Sequence, residues 1–237
     1  MSDWQSGKIP TPYIPISRVP IPPSQVFDYR QSYDARWKIK KISSNGACQG
    51  LSIFWVIKSA NGDDFATWLG PPSNASTTHG QPGPKMGKEM DDIIRVMVQQ
   101  QKIFDLPQKS RSLNMNWARD RIAKLDGLGD GSGSTKLRAT GNLTLLQGAS
   151  AKQIASEVTS TDGFVFFGFS MTATDQQPGW GHAVAAQVTT PTVNFFDPNY
   201  GQYHFEDLSD FHVWFEHTLM PQYGTTNPDT AEIQHFS

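Results

Sequence analysis

The chain has 237 residues, of which 37% are hydrophobic, 18% charged and 11% aromatic, with a formal net charge of −2. Those values suit one globular domain with a sizeable core, and the near-neutral charge gives no electrostatic footing for a nucleic-acid partner. A single cysteine, Cys48, excludes an intramolecular disulfide and a thiolate metal cluster, and no run of about 18 apolar residues is present to insert stably into a membrane as a helix.

Residues 1–26 hold Pro10, Pro12, Pro15, Pro20, Pro22 and Pro23, a run that favours extended backbone and reads as a linker or a strap over the fold. The start, "MSDWQSGKIPTPYIPIS", has neither the basic n-region nor the apolar core of a Sec signal. The ordered domain is predicted to begin near Val26 and to occupy residues 27–237. "WKIKK" (37–41) is a basic patch read as a solvated strand edge.

"CQGLSIFWVIKSANG" is apolar on nearly every face and ends in an Asn-Gly stop. Its periodicity fits a buried helix or a buried strand equally. In "GKEMDDIIRVMVQQQKIF", Met90, Ile93, Ile94, Met97 and Val98 follow the spacing of an amphipathic helix, and "NMNWARDRIAKL" is a shorter one. "DGLGDGSGST" carries Asp126 and Asp130 but no Glu at the twelfth position of a calcium loop, so it reads as a connection. "SAKQIASEV" is helical with Ser150 as its N-cap. Strands follow in "GFVFFGFSM", "HAVAAQVT", "TVNFFD" and "QYHFED", and the chain closes with an amphipathic "LSDFHVWFEHTL" and a polar tail. Helices followed by an antiparallel sheet make an α+β fold.

Three residues stand out, in the chain order Cys48, His182, Asp197. A thiol nucleophile needs a base, and the base needs an orienting partner. If "CQGLSIFWVIKSANG" is a helix, Cys48 sits in its first turn, where the helix dipole favours a thiolate. Small neighbours (Gly46, Ala47, Gly50) let a substrate backbone approach closely. A tight turn near Thr189, Thr190 and Pro191 makes a hairpin of the next two strands, and His182 and Asp197 are symmetric about the 189/190 junction. That symmetry predicts direct opposition, with Cβ atoms roughly 4.5–5.5 Å apart. Each residue also has a plain structural reading: a small buried hydrophobe for Cys48, a satisfied core histidine for His182, and the first residue of a type I turn for Asp197. His79 lies in a polar loop, and His204, His212 and His217 fall on a strand and a helix without a paired aspartate at hairpin spacing, so they read as structural.

Taken together, "NGACQGLS", then "GHAVAA", then "FFDPNYG" resemble the YopT/AvrPphB family of bacterial effector cysteine proteases. The likeness runs from Asn45 to the C-terminal helix, most specifically in the first and last of these segments. The resemblance implies a papain-like fold, with Cys48 as nucleophile, His182 as general base and acid, and Asp197 as the carboxylate that orients it. It further implies an oxyanion hole built from the nucleophile's own N–H and an upstream side chain, for which Asn45 is the amide at hand, with Ser43 or Ser44 as substitutes. No metal or organic cofactor is required. Trp180 reads either as a shield over the His–Asp bond or as core.

The implied role is a protease secreted by a non-Sec route that acts on a protein substrate in the cytoplasm of a target cell, with a secretion chaperone as a further partner. Two alternatives share the triad. A papain-fold glutamine deamidase or transglutaminase attacks a side-chain amide instead. A polymorphic-toxin protease domain acts on competing bacteria, with an immunity protein as partner, or processes its own chain. A domain that keeps the fold without the chemistry is a third reading, against which all three triad positions hold competent residues.

Overall fold

The computed structural model describes residues 25–31, 48–70, 137–175 and 179–237. The ambiguous apolar run forms helix α1 (Cys48–Ala60). At 13 residues it outruns the usual length of a buried strand. It is apolar all round because it is buried all round: Leu51, Ile53, Phe54, Trp55, Val56 and Ile57 are each at most 2% exposed. The Asn-Gly stop ends it, with Gly62 at φ 74°. Lys58 is buried near that end; it pairs with Asp63 at 3.4 Å and stands over the Trp68 ring. Asp64 then caps α2 (Phe65–Leu69) by accepting the Ala66 N–H.

Among the described residues, seven strands form one antiparallel sheet in the order β1-β6-β5-β4-β3-β7-β2. They are β1 (Gln25–Phe27), β2 (Ala139–Gln147), β3 (Gly163–Met171), β4 (Trp180–Thr189), β5 (Thr192–Asp197), β6 (Gly201–Phe205) and β7 (Thr230–Phe236). The antiparallel α+β arrangement expected from the sequence is present. Helix α3 (Ala151–Val158) opens as predicted at Ser150, whose hydroxyl accepts the Gln153 N–H while the Gln153 side chain accepts the Ser150 N–H. The closing helix is interrupted: α4 (Leu208–Trp214) runs into a π turn (Phe215–Leu219) before α5 (Met220–Gln222).

The sheet is covered on both faces. On one, α1 and α2 pack on Phe166, Ala183, Ala185, Phe196 and Phe236. On the other, α3, α4 and the π turn pack on Val165, Phe167, Val184, Ala186 and Phe195. Successive residues of β4 thus alternate between the two cores, as the pleat requires.

The last strand corrects the sequence reading. "TAEIQHF", taken as part of a polar tail, is β7, inserted between β3 and β2. Its polar residues Gln234 and His235 are buried. It is held by backbone pairing on both sides and by buried Ala231, Ile233 and Phe236, but the polar residues between them break any apolar run that would have signalled it. Smaller differences are β4 starting at Trp180, two residues before His182, and β6 ending at Phe205. The predicted helices within 87–104 and 114–125, the connection at 126–135, "WKIKK" and His79 lie outside the described residues.

Candidate active site

β4 and β5 pair with Thr189 opposite Thr192 and Ala185 opposite Phe196. The loop is therefore Thr190 and Pro191, and the hairpin centre falls one residue later than the 189/190 junction. His182 and Asp197 are not directly opposed, contrary to expectation. A two-residue loop is the tightest common hairpin closure, and it keeps Thr189 in the ladder rather than in the turn. Continuing the ladder one step sets Asp197 beside Val184, two residues from His182. That offset leaves both side chains on one face, and diagonal neighbours stay within reach of long side chains.

The two residues do bond. Nε2–H of His182 donates to Oδ1 of Asp197 at 2.9 Å, with His182 6% and Asp197 0% exposed. The Asp-Pro-Asn-Tyr turn fixes the carboxylate: the Tyr200 N–H donates to the Asp197 carbonyl, and the Asn199 N–H donates to Oδ1 at 2.7 Å. Turn and site are thus one feature, since the aspartate that initiates the turn is also the imidazole's partner.

Cys48 reaches the same place from α1. It is the helix's first described residue and partly buried. Ser52, one helical turn on, donates its hydroxyl to the Ala183 carbonyl at 3.1 Å. The thiol is hydrogen-bonded by the Ala183 backbone and by the His182 imidazole. In an antiparallel strand the N–H and C=O of one residue point to the same side. At Ala183 both groups are taken by α1, beyond the last β4–β5 pair. The i, i+4 pair Cys48/Ser52 therefore grips the strand that carries the histidine.

The electrostatics follow from this contact. Burial alone pushes the Cys48 thiol up, but the hydrogen bond and positive charge of His182, with the Ala183 backbone, bring it below its ordinary value. Burial alone pushes His182 down, but the charge and hydrogen bond of Asp197, with Cys48 adding to both, raise it to about 10. Opposite shifts in two groups that touch favour the thiolate and the imidazolium together. An ionised carboxylate only accepts, so Nε2 carries the proton shared with Asp197 and Nδ1 is left for the thiol.

Sequence reasoning missed Tyr223. Its hydroxyl donates to Oδ2 of Asp197 at 2.7 Å, and its ring stacks on the His182 imidazole with centroids 4.8 Å apart. Burial first, then the Asp197 charge, pushes this phenol well above its ordinary value, so it keeps its proton and acts as donor. No spacing rule connects it to the site, as it lies beyond the closing helix in the stretch read as a polar tail. Trp180 lies one layer out, packed on Phe169 and Tyr223, the two rings that contact His182. His204 is bonded to Asn194 and His212 to Thr159, away from this cluster. Asn45, Ser43 and Ser44 lie outside the described residues.

Cysteine protease yopT1 of Yersinia enterocolitica serotype O:8 is 24% identical over 181 residues, covering 75% of this chain and 51% of that protein. A second Yersinia enterocolitica yopT1 is 45% identical over 40 residues, or 16% of this chain and 12% of that one. The chain thus spans about half the length of the first of these curated relatives and less of the second. Among solved structures, the Pseudomonas avirulence protein AvrPphB aligns over 81% of this chain and 91% of its own, at 13% identity and TM-score 0.47. The YopT domain of the Pasteurella multocida PfhB2-toxin aligns over 84% and 87%, at 16% identity and TM-score 0.26. Residues 24–237 match the peptidase family described as Yersinia/Haemophilus virulence surface antigen, and the chain belongs to that family of cysteine peptidases.

Proposed function

We propose that this chain is a cysteine endopeptidase in which Cys48 is the nucleophile, His182 the general base and acid, and Asp197 the carboxylate that orients and charges the imidazole. The observation that carries this reading is the continuous contact from thiol to imidazole to buried carboxylate, with the thiol shifted down and the imidazole up. In the reaction the Cys48 sulfur bonds to the peptide carbonyl carbon, and the carbonyl electrons move onto oxygen. The Cys48 N–H and the Asn45 side-chain amide are proposed to hold that oxyanion. Nδ1–H of His182 protonates the leaving amine as the C–N bond breaks. Water, deprotonated by the same nitrogen, then hydrolyses the thioester and restores the thiolate.

The wider reading is a peptidase domain of residues 27–237 behind a Pro-rich segment of residues 1–26, secreted by a non-Sec route. Its substrate is a protein in the cytoplasm of a target cell, and a secretion chaperone or an immunity protein is its further partner. Family membership and the Yersinia relatives support this.

Incubating the purified chain and its Cys48→Ala variant with a protein digest, then reading new termini by mass spectrometry and ammonia in parallel, tests the proposal. New termini that depend on Cys48 support the peptidase. Ammonia without new termini would replace it with a deamidase. Neither product would remove the catalytic reading.

A further inference from the structure

Asp197 is fully buried, so each of its oxygens needs a donor. Oδ1 takes the His182 Nε2–H and the Asn199 N–H, while Oδ2 takes the Tyr223 hydroxyl at 2.7 Å. A tyrosine that only filled space would need no hydroxyl here. This one is oriented in turn: the Asn199 side-chain amide donates to the Tyr223 oxygen at 3.2 Å, and the Gln31 amide holds the Asn199 carbonyl oxygen at 2.7 Å. The ring has a second task. It lies nearly parallel to the imidazole, 29° between planes, and Phe169 sets its edge against both at 5.7 and 5.2 Å. One side chain therefore constrains the carboxylate through its hydroxyl and the plane of the imidazole through its face.

The π turn contributes to this placement. In it the Met220 N–H bonds the Phe215 carbonyl five residues back, which widens the helix by one residue and shifts the phase of the residues beyond it. Phe215, Leu219 and Met220 remain buried in the same core, and Tyr223 ends the short helix beyond them, beside the carboxylate.

We propose that Tyr223 is a positioning residue of the site: its hydroxyl fixes the second oxygen of Asp197 and its ring fixes the imidazole plane, so that Nδ1 of His182 is aimed at Cys48. This rests on the Cys48–His182–Asp197 reading above. Tyr223→Phe keeps the stacked ring and removes only the donor. The buried carboxylate then has one oxygen without a partner and anchors the imidazolium less firmly, and the thiolate loses part of its counter-charge.

The single cysteine makes the test direct. Iodoacetamide alkylation is followed by intact mass from pH 4 to 9 in wild type, Tyr223→Phe and Asn199→Ala, with thermal melting to report folding. The wild-type midpoint is expected far below the ~8.5 of a free thiol. In Tyr223→Phe it moves up by about one unit, a tenfold loss of thiolate at acid pH, and in Asn199→Ala it moves the same way by less. A Tyr223→Phe midpoint equal to a low wild-type midpoint would reduce Tyr223 to packing and leave the triad reading intact. A wild-type midpoint near that of a free thiol would overturn both. If Tyr223→Phe does not fold, Asn199→Ala decides: an upward shift supports the proposal and no shift overturns it.

Discussion

His182 and Asp197 are joined at 2.9 Å across a hairpin in which they stand diagonal to each other, two residues from direct opposition. The diagonal lets the carboxylate sit at the start of its own turn, where the Asn199 N–H and the Tyr223 hydroxyl also reach it. Asp197→Asn keeps the shape but places an amide where three donors converge, so at least one donor loses its acceptor. Peptide hydrolysis is expected to fall by roughly 10²–10⁴-fold, the range for loss of general acid–base chemistry. Steady-state kinetics on a substrate found in the digest reads this out. Undiminished turnover would dismiss the carboxylate's role.

The opposed shifts of Cys48 and His182 set the pH behaviour. The thiol is lowered and the imidazole raised to about 10, so both shifts favour the ion pair, and alkylation at pH 5–6 is expected to outpace that of a free thiol. The His182 ring protons should keep imidazolium shifts in NMR from pH 6.5 to 9. For stability, a raised imidazole contributes in full below the unfolded value of 6.5 and loses that contribution as pH rises toward about 10. The difference in unfolding free energy between wild type and His182→Gln should therefore shrink over that window. A constant difference would mean that His182 is neutral in the folded protein.

Cys48→Ala should abolish hydrolysis and leave a folded protein. The side chain is partly buried at the edge of the α1 core, so alanine fits without strain, and the loss is confined to the sulfur that the Ala183 backbone and the His182 imidazole face. Circular dichroism and melting should match wild type closely, with activity at background. Full activity in this variant would end the nucleophile assignment.

Ser52 holds α1 to the histidine strand through the Ala183 carbonyl. Ser52→Ala removes a buried donor and leaves that carbonyl short of a partner, at a cost of about 1–3 kcal/mol. Because Cys48 is one turn away on the same face, alkylation at pH 6 should also slow. Urea unfolding and the alkylation rate check the two effects separately, and a variant altered in neither would show the bond to be incidental.

Gly201 sits at φ 102°, and a Cβ there would overlap the Phe27 carbonyl oxygen and stand 2.9 Å from the Tyr29 nitrogen. Gly201→Ala should therefore push β1 off β6. Gln31, which follows β1, bonds both Pro198 and Asn199 in the turn beside Asp197. Losing that clasp should loosen the carboxylate as well. Limited proteolysis near residues 25–31 should speed up, with destabilisation on the order of 1–3 kcal/mol; unchanged proteolysis would contradict the close approach.

Much of this protein is written locally. The Ser150 cap, the Asn-Gly stop after α1, the apolar stretches that became β3, β4 and β5, and the Asp-Pro-Asn-Tyr turn all follow from short-range chemistry, because caps, turns and pleats depend on neighbours within a few residues. The residue types at 48, 182 and 197 were legible for the same reason, together with the parity that puts the last two on one face. Long-range packing decided the rest. Residues 48–60 are apolar on every face, which fits a buried helix and a buried strand alike, and the helix shows only in how they pack across the sheet. The hairpin register turned on a single residue in or out of the loop. β7 exists because two strands distant in sequence pair with its backbone, and that pairing places no demand on its polar side chains. Tyr223 meets Asp197 only because a π turn and the end of a helix deliver it there, and no periodicity in one dimension encodes such a meeting. The charge states of Cys48 and His182 belong to the same class, since burial alone would neutralise each and contact alone reverses it.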